Sequence, residues 1–195
     1  MTEARLRRFC VLVEKWSPKI NLVARADLAN LWDRHVQDCL ALVAHMPKNI
    51  NRAIDLGSGA GFPGLVLAIA TGVHFTLIES DTRKAAFLME AARQTGAPAK
   101  IFNDRIERVK TEPAPLVTAR ALAPLDKLLG LAAGHLAPGG ICLFPKGPGV
   151  EVELTAAKPF WHMQVQRFSS PAPAEGKCIL KVSGLRHVGT DQAAP

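Results

Sequence analysis

Between Ala53 and Gly64 the chain reads Ala-Ile-Asp-Leu-Gly-Ser-Gly-Ala-Gly-Phe-Pro-Gly, a short apolar run that ends in four closely spaced glycines. A strand that enters such a turn and leaves it as a helix brings bare main chain up to a ligand, because glycine tolerates unusual backbone angles and presents no side chain. Gly59-Ala-Gly61-Phe-Pro-Gly64 matches the dinucleotide fingerprint Gly-x-Gly-x-x-Gly, a weak signal by itself. Two acids sharpen it. Asp55, two residues before Gly57, would repel a pyrophosphate but could hold the ammonium of an amino-acid moiety. Glu79 ends the next apolar run, 20 residues past Gly59, where a carboxylate accepts hydrogen bonds from ribose hydroxyls in nucleoside-binding sheets. S-adenosylmethionine, a nucleoside carrying an amino acid, satisfies both positions, and NAD lacks the ammonium. The plain alternative is a tight strand–helix turn with two surface acids.

The flanking pattern supplies the context. From Arg52 onward short apolar runs alternate with helical segments, which predicts repeated β-α units and an α/β, Rossmann-like, mostly parallel sheet. Strands are expected at Ala53–Leu56, Phe75–Glu79, Lys100–Asn103, Leu116–Ala119 and Ile141–Phe144. Helices are expected near Gly64–Thr71, Thr82–Gln94, Leu125–Leu136 and Val150–Lys158, with Pro138-Gly139-Gly140 as a turn. Trp161–Phe168 and Lys177–Val182, joined by a Pro-rich polar stretch, read as an antiparallel hairpin at the sheet edge. Ahead of this, apolar spacing predicts a helix from Thr2 to Trp16, ended by Ser17-Pro18, and a second from an Asp27 N-cap to His45. The apolar face of that second helix would be Leu28, Leu31, Trp32, Val36, Cys39, Leu40 and Val43. One domain follows: a helical extension over 1–50, a core over 51–186 and a loose tail over 187–195.

Composition narrows the partners. No apolar stretch approaches the roughly 20 residues that span a bilayer, and the start lacks the apolar segment of a signal peptide. Cys10, Cys39, Cys142 and Cys178 are too scattered for a zinc site, and they read as buried hydrophobes in a reduced, cytoplasmic protein. Net charge is +7, and residues 1–52 hold nine Lys or Arg against five Asp or Glu. That balance favours a polyanion, and Arg5, Arg7, Arg8, Lys15, Lys19 and Arg25 would form a basic face for RNA, although many ordinary enzymes are as basic.

Several further pieces resemble one family. They are Lys15-Trp16, Asn21-Leu22, Arg34-His35-Val-Gln-Asp38, Asp55 to Gly64, Arg105-Ile106-Glu107, Ala119-Arg120-Ala121, Pro124-Leu125 and Lys146-Gly147. From about Trp16 to Leu185 the chain is similar to the bacterial ribosomal RNA small subunit methyltransferase G family, whose members methylate guanine N7 in 16S rRNA. It departs at Cys39 and Ala119, where serine is usual, and its N-terminal region looks about a helical turn shorter. The resemblance implies a seven-stranded methyltransferase sheet with its last hairpin reversed. It also implies cofactor contacts at Gly57, Phe62, Ile106, Glu107 and Arg120, beside Asp55, Gly59, Gly61 and Glu79 from the loop itself. Ile106 and Glu107 follow the third strand, where an adenine could lie, and Arg120 ends the fourth, at the edge where such sheets hold ligands.

Other residues have two readings. Arg34 and Asp38, four apart, form an exposed helical ion pair, or Arg34 and His35 approach RNA. Lys146 is a solvated lysine or a phosphate contact. His35 and Cys39 share a helical spacing without further metal ligands. Trp16, Trp32 and Trp161 read as core. The predicted partner is 16S rRNA or the small ribosomal subunit, met by a monomer without metal or membrane; no catalytic group is identified. An NAD-dependent oxidoreductase, a methyltransferase for another RNA or a small molecule, and a non-enzymatic RNA-binding module remain as alternatives.

Overall fold

The computed structural model describes residues 2–170 and 176–189. In chain order the elements are α1 (Thr2–Ile20), a run of short helical turns over 25–45 that includes α2 (Gln37–Ala41), β1 (Arg52–Leu56), α3 (Gly64–Thr71), β2 (His74–Ile78), α4 (Thr82–Thr95) and β3 (Ala99–Phe102). Then come β4 (Ala114–Ala119), α5 (Leu125–Ala133), β5 (Leu136–Lys146), α6 (Val150–Ala157), β6 (Trp161–Ser169) and β7 (Cys178–His187). The strands form one sheet in the order β3-β2-β1-β4-β5-β7-β6. β1 to β5 are parallel, and β7 runs antiparallel to both β5 and β6. Chain direction across the sheet reverses between β1 and β4. In open parallel sheets that switch point opens a crevice at the carboxyl ends of the strands. The glycine loop leaves β1 and Arg120 leaves β4 at this crevice.

Each face of the sheet is covered. On one, α1, α3, α4 and the 25–45 run bury Phe9, Val13, Val36, Leu65, Phe75 and Phe87. On the other, α5 and α6 bury Leu125, Leu129, Val150 and Leu154 against Ile54, Phe144 and Leu180. Such side chains contribute roughly 1.5–3 kcal/mol each, which outweighs local propensity in fixing the elements. Helix α4 shows the local chemistry clearly. Asp81 caps it by accepting from the Arg83 and Lys84 amides at 2.8 and 3.2 Å. Gly96, at φ +63°, closes it, and Arg5 donates to the carbonyls of Thr95 and Gly96, both at 2.6 Å.

Four expectations are corrected. Ser17-Pro18 does not end α1. The Pro18 ring lies on the exposed side, where water can satisfy the freed carbonyl, and the helix ends at Asn21, with φ +52°. The expected helix Asp27–His45 is instead a 3₁₀ turn (Arg25–Asn30), a π turn (Trp32–Val36), α2 and a 3₁₀ turn (Leu42–His45). Asp27 caps nothing, because its carboxylate is engaged by Arg34 and His35. With three residues per turn at its end, the segment buries Leu42 and leaves Val43 39% exposed. Pro138-Gly139-Gly140 bulges within β5, since Ala114 pairs with Leu136 and Leu116 with Ile141, while α5 stops at Ala133. The tail expected from 187 begins inside β7. Residues 190–195 of that tail, and 171–175 of the Pro-rich turn, lie outside the described residues.

Candidate active site

The loop after β1 is held open by its neighbours. Gly57, Gly59 and Gly61 have φ of +61°, +54° and +87°, angles that a side chain would strain. The Gly59 amide donates to Glu79 Oε2 at 2.8 Å and the Ser58 amide to the Ile78 carbonyl at 3.0 Å, so the loop is tied to the end of β2. Glu79 Oε1 accepts from the Asp81 amide at 2.7 Å. A Cβ on Gly64 would come within 2.5 Å of both Asp55 Cβ and Leu77 Cδ2, so close packing of α3 on β1 requires glycine there. On Gly59 it would meet nothing nearer than the Gly57 carbonyl at 3.8 Å, the open side of the loop.

Asp55 lies behind this loop. It has no exposed surface; Thr118 Oγ1 donates to its Oδ1 at 2.6 Å, and Oδ2 has no hydrogen-bond partner. Burial pushes its carboxyl up to about 6 against the pull of Thr118, Ser58 and the Gly64 amide. Asp55 therefore presents no surface to a ligand, and its Oδ1 ties β1 to β4 through Thr118.

In front of the loop opens a cleft of about 510 Å³. Gly57 to Ala60, Phe62 and Glu79 line one side, Ile106 and Glu107 another, and Arg120 with Leu122 the end. Ile106 and Glu107 stand on a single 3₁₀ turn after β3. The donor set fits a nucleoside joined to an amino acid: main-chain amides, a carboxylate with lone pairs to spare, an apolar side chain and, at the end, a guanidinium. Arg120 has no ion pair among the described residues.

Arg120 also belongs to a second cavity, of about 740 Å³, whose wall includes Asp27, His35, Asp38, Lys146, Glu153 and Lys177. The two cavities share Leu22 and the stretch Arg120 to Ala123. Arg120 sits over the Phe62 ring, 4.9 Å from its centroid, and its Nη1 lies 2.9 Å from His35 Nδ1. Burial first, and Arg120 second, push the His35 imidazole down to about 4. A guanidinium can only donate, so Nδ1 must accept and the proton of neutral His35 is on Nε2. Nε2 is 3.4 Å from Asp27 Oδ2, a contact without a hydrogen bond. Ala121, next to Arg120, has φ +52°, a strained position for a residue with a side chain.

The remaining candidates are engaged. Arg34, half exposed, pairs with Asp27 at 3.2 Å and not with Asp38, which instead meets Ser170 and Lys177 at 2.6 and 3.2 Å. Lys146 is neither solvated nor free for phosphate: its side chain is 9% exposed and it contacts Glu153 at 2.6 Å. Trp16, Trp32 and Trp161 pack, half-buried, against the two cores. The sequence reading missed Asp27, Leu122, Glu153 and Lys177. Only the adjacency of Leu122 to Arg120 could have flagged one of them.

The family described as rRNA small subunit methyltransferase G matches residues 2–176. A ribosomal RNA small subunit methyltransferase G of Acidiphilium cryptum is 52% identical over 184 residues, covering 93% of this chain and 84% of its own. One from Paramagnetospirillum magneticum is 47% identical over 194 residues, covering 100% and 93%. Among solved structures, the O-methyltransferase TomG from Streptomyces achromogenes, in complex with SAM, superposes with a TM-score of 0.59 at 12% identity, covering 92% of this chain and 89% of that one. At such identity the likeness shows the fold.

Proposed function

The chain belongs to the rRNA small subunit methyltransferase G family, and we propose that it transfers the methyl group of S-adenosylmethionine to N7 of a guanine in the 16S rRNA of the small ribosomal subunit. The observation that carries this reading is the shared wall. The 510 Å³ cleft over the glycine loop and the 740 Å³ cavity meet at Arg120 to Ala123, so a methyl donor in one faces a base in the other.

S-adenosylmethionine supplies, when bound, a methyl group on a cationic sulfur. The Ser58, Gly59 and Gly61 amides are already taken by Ile78, Glu79 and Ser58, so the amides of Gly57, Ala60 and Phe62 and the carboxylate of Glu79 hold the nucleoside side of the cleft, with Ile106 and Glu107 against the adenine. Arg120, a cation without an ion pair among the described residues, takes the amino-acid carboxylate. In the second cavity Arg120, Lys146 and Lys177 face Asp27, Asp38 and Glu153, with Lys146 and Lys177 already paired, so its wall suits a hydrogen-bonding base better than a phosphate. Guanine N7 carries a lone pair and no proton. No general base is needed, and the side chains serve to align the base and exclude water. Arg34, half exposed, keeps N–H groups for the RNA backbone. No helix among the described residues is long and apolar enough to cross a membrane. The reading places a monomer in the cytoplasm, with its ribosomal substrate.

The test is tritium transfer from labelled S-adenosylmethionine to small subunits lacking their native N7 methylation. Label in 16S rRNA, absent with Gly59→Ala, is the expected result; cofactor binding without label in that RNA would overturn the substrate assignment.

A further inference from the structure

One buried polar side chain outside both cavities reaches the cofactor cleft through its wall. His135, between α5 and β5, is 5% exposed. Its main chain is fixed from both sides: its amide donates to the Ala132 carbonyl at 3.0 Å, and its carbonyl accepts from the Ala114 amide at 2.9 Å. Its ring meets two points of the β3–β4 connection. Nε2 is 3.3 Å from the Ile106 carbonyl and Nδ1 is 3.0 Å from Thr111 Oγ1. A carbonyl only accepts, so Nε2 carries the proton, Nδ1 accepts and the Thr111 hydroxyl donates. One imidazole with one proton satisfies both bonds.

Val109 is buried in the core with Ile106 packed against it, and few polar contacts from other elements hold the rest of that connection. Asn103 ties its start to the Glu79 carbonyl at 3.0 Å, and Arg52 reaches the Pro113 carbonyl at its end. Between them, Ile106 and Glu107 form the 3₁₀ turn that lines the cleft. We propose that His135 is a positioning residue for the cofactor, clamping the Ile106–Glu107 turn at the height where the adenine lies. This rests on the assignment of the 510 Å³ cleft to S-adenosylmethionine.

The experiment compares His135→Leu, His135→Gln and Thr111→Val with the unaltered protein. Calorimetry gives the Kd for S-adenosylhomocysteine, steady-state kinetics the constants for each substrate, and hydrogen exchange the opening of residues 104–111. His135→Leu raises the Kd and the cofactor KM at least tenfold, while kcat at saturating cofactor and the KM for small subunits stay within twofold. His135→Gln, which keeps a donor and an acceptor, stays within threefold, and Thr111→Val falls between. Exchange accelerates in 104–111 and not in α4. Unchanged cofactor affinity in a folded His135→Leu protein overturns the clamp. Should that variant not fold, unchanged affinity and exchange in Thr111→Val does the same. If the unaltered protein itself fails to bind S-adenosylhomocysteine, the cleft assignment fails, and exchange in 104–111 still decides whether His135 holds the turn.

Discussion

The Nη1 of Arg120 and the Nδ1 of His35, 85 residues apart in sequence, stand 2.9 Å apart between the two cavities. A cation therefore rests on a neutral ring, without an ion pair among the described residues.

This pairing has a signature in pH. Folded His35 stays neutral down to about pH 4, against an ordinary 6.5, so between those values only the unfolded chain takes the proton. Its contribution is complete above pH 6.5 and is lost as pH falls toward 4. Asp55 works in the opposite sense. Its folded carboxyl, near 6 against 3.8, keeps a proton that the unfolded chain releases, so its contribution is complete below 3.8 and lost as pH rises through 6. Each amounts to about 3 kcal/mol at most, and over pH 4–6 the two offset one another. Urea unfolding should then show stability that falls with rising pH, relative to the unaltered protein, in His35→Gln, and that climbs in Asp55→Asn. Parallel profiles for the two variants would contradict the assignment.

Two glycines separate folding from ligand binding. Gly64→Ala drives a Cβ into Asp55 and Leu77 and should cost about 3 kcal/mol or more in stability. Gly59→Ala meets no atom closer than 3.8 Å, so it costs about 1 kcal/mol for its positive φ while its methyl enters the cleft. Thermal melts and calorimetry with S-adenosylhomocysteine should show a lower Tm for the first, and a Kd raised more than tenfold with a nearly intact Tm for the second.

How much of this was legible in the sequence depends on distance along the chain. The glycine loop, Asp55 and Glu79 were readable because strand, turn and helix signals adjoin one another there. The Asp81 cap and Gly96 stop of α4 are equally local. The π turn at Trp32–Val36 was not readable, because it is maintained by contacts of Asp27, Arg34 and His35 with one another and with Arg120. The burial of Lys146 was hidden for the same reason: its partner Glu153 arrives on α6. The burial of Asp55 behind the loop was not readable either, since alternation along β1 cannot tell a cleft from a core when both faces are covered.

Ala121 holds strain beside Arg120. At φ +52° glycine is easier to accommodate than alanine, so Ala121→Gly should leave stability unchanged or raise it by up to about 1 kcal/mol. Transfer should nonetheless slow several-fold, because the freed backbone no longer aims the guanidinium. Denaturant melts paired with single-turnover rates check this, and a stabilised variant with full activity would argue against a role for the strain.

The basic residues of the N-terminal region divide in two. Arg5 caps α4, Arg7 pairs with Glu3 and Arg8 bonds Gln94, so these three serve the fold. Lys15, Lys19 and Arg25 have no ion pair among the described residues. Arg5→Gln should cost about 1 kcal/mol in stability without altering RNA affinity. The triple change of Lys15, Lys19 and Arg25 to Gln should flatten the salt dependence of RNA binding. Equal salt slopes before and after the triple change would remove this surface from the RNA interface.

The most direct measurement is chemical mapping of the product. Small subunits lacking N7 methylation are incubated with the protein and S-adenosylmethionine, and the 16S rRNA is then treated with borohydride and aniline, which cleave at 7-methylguanine. A new break at one guanine, absent without cofactor, is the predicted result. Methyl groups incorporated into the RNA with no such break would contradict transfer to N7.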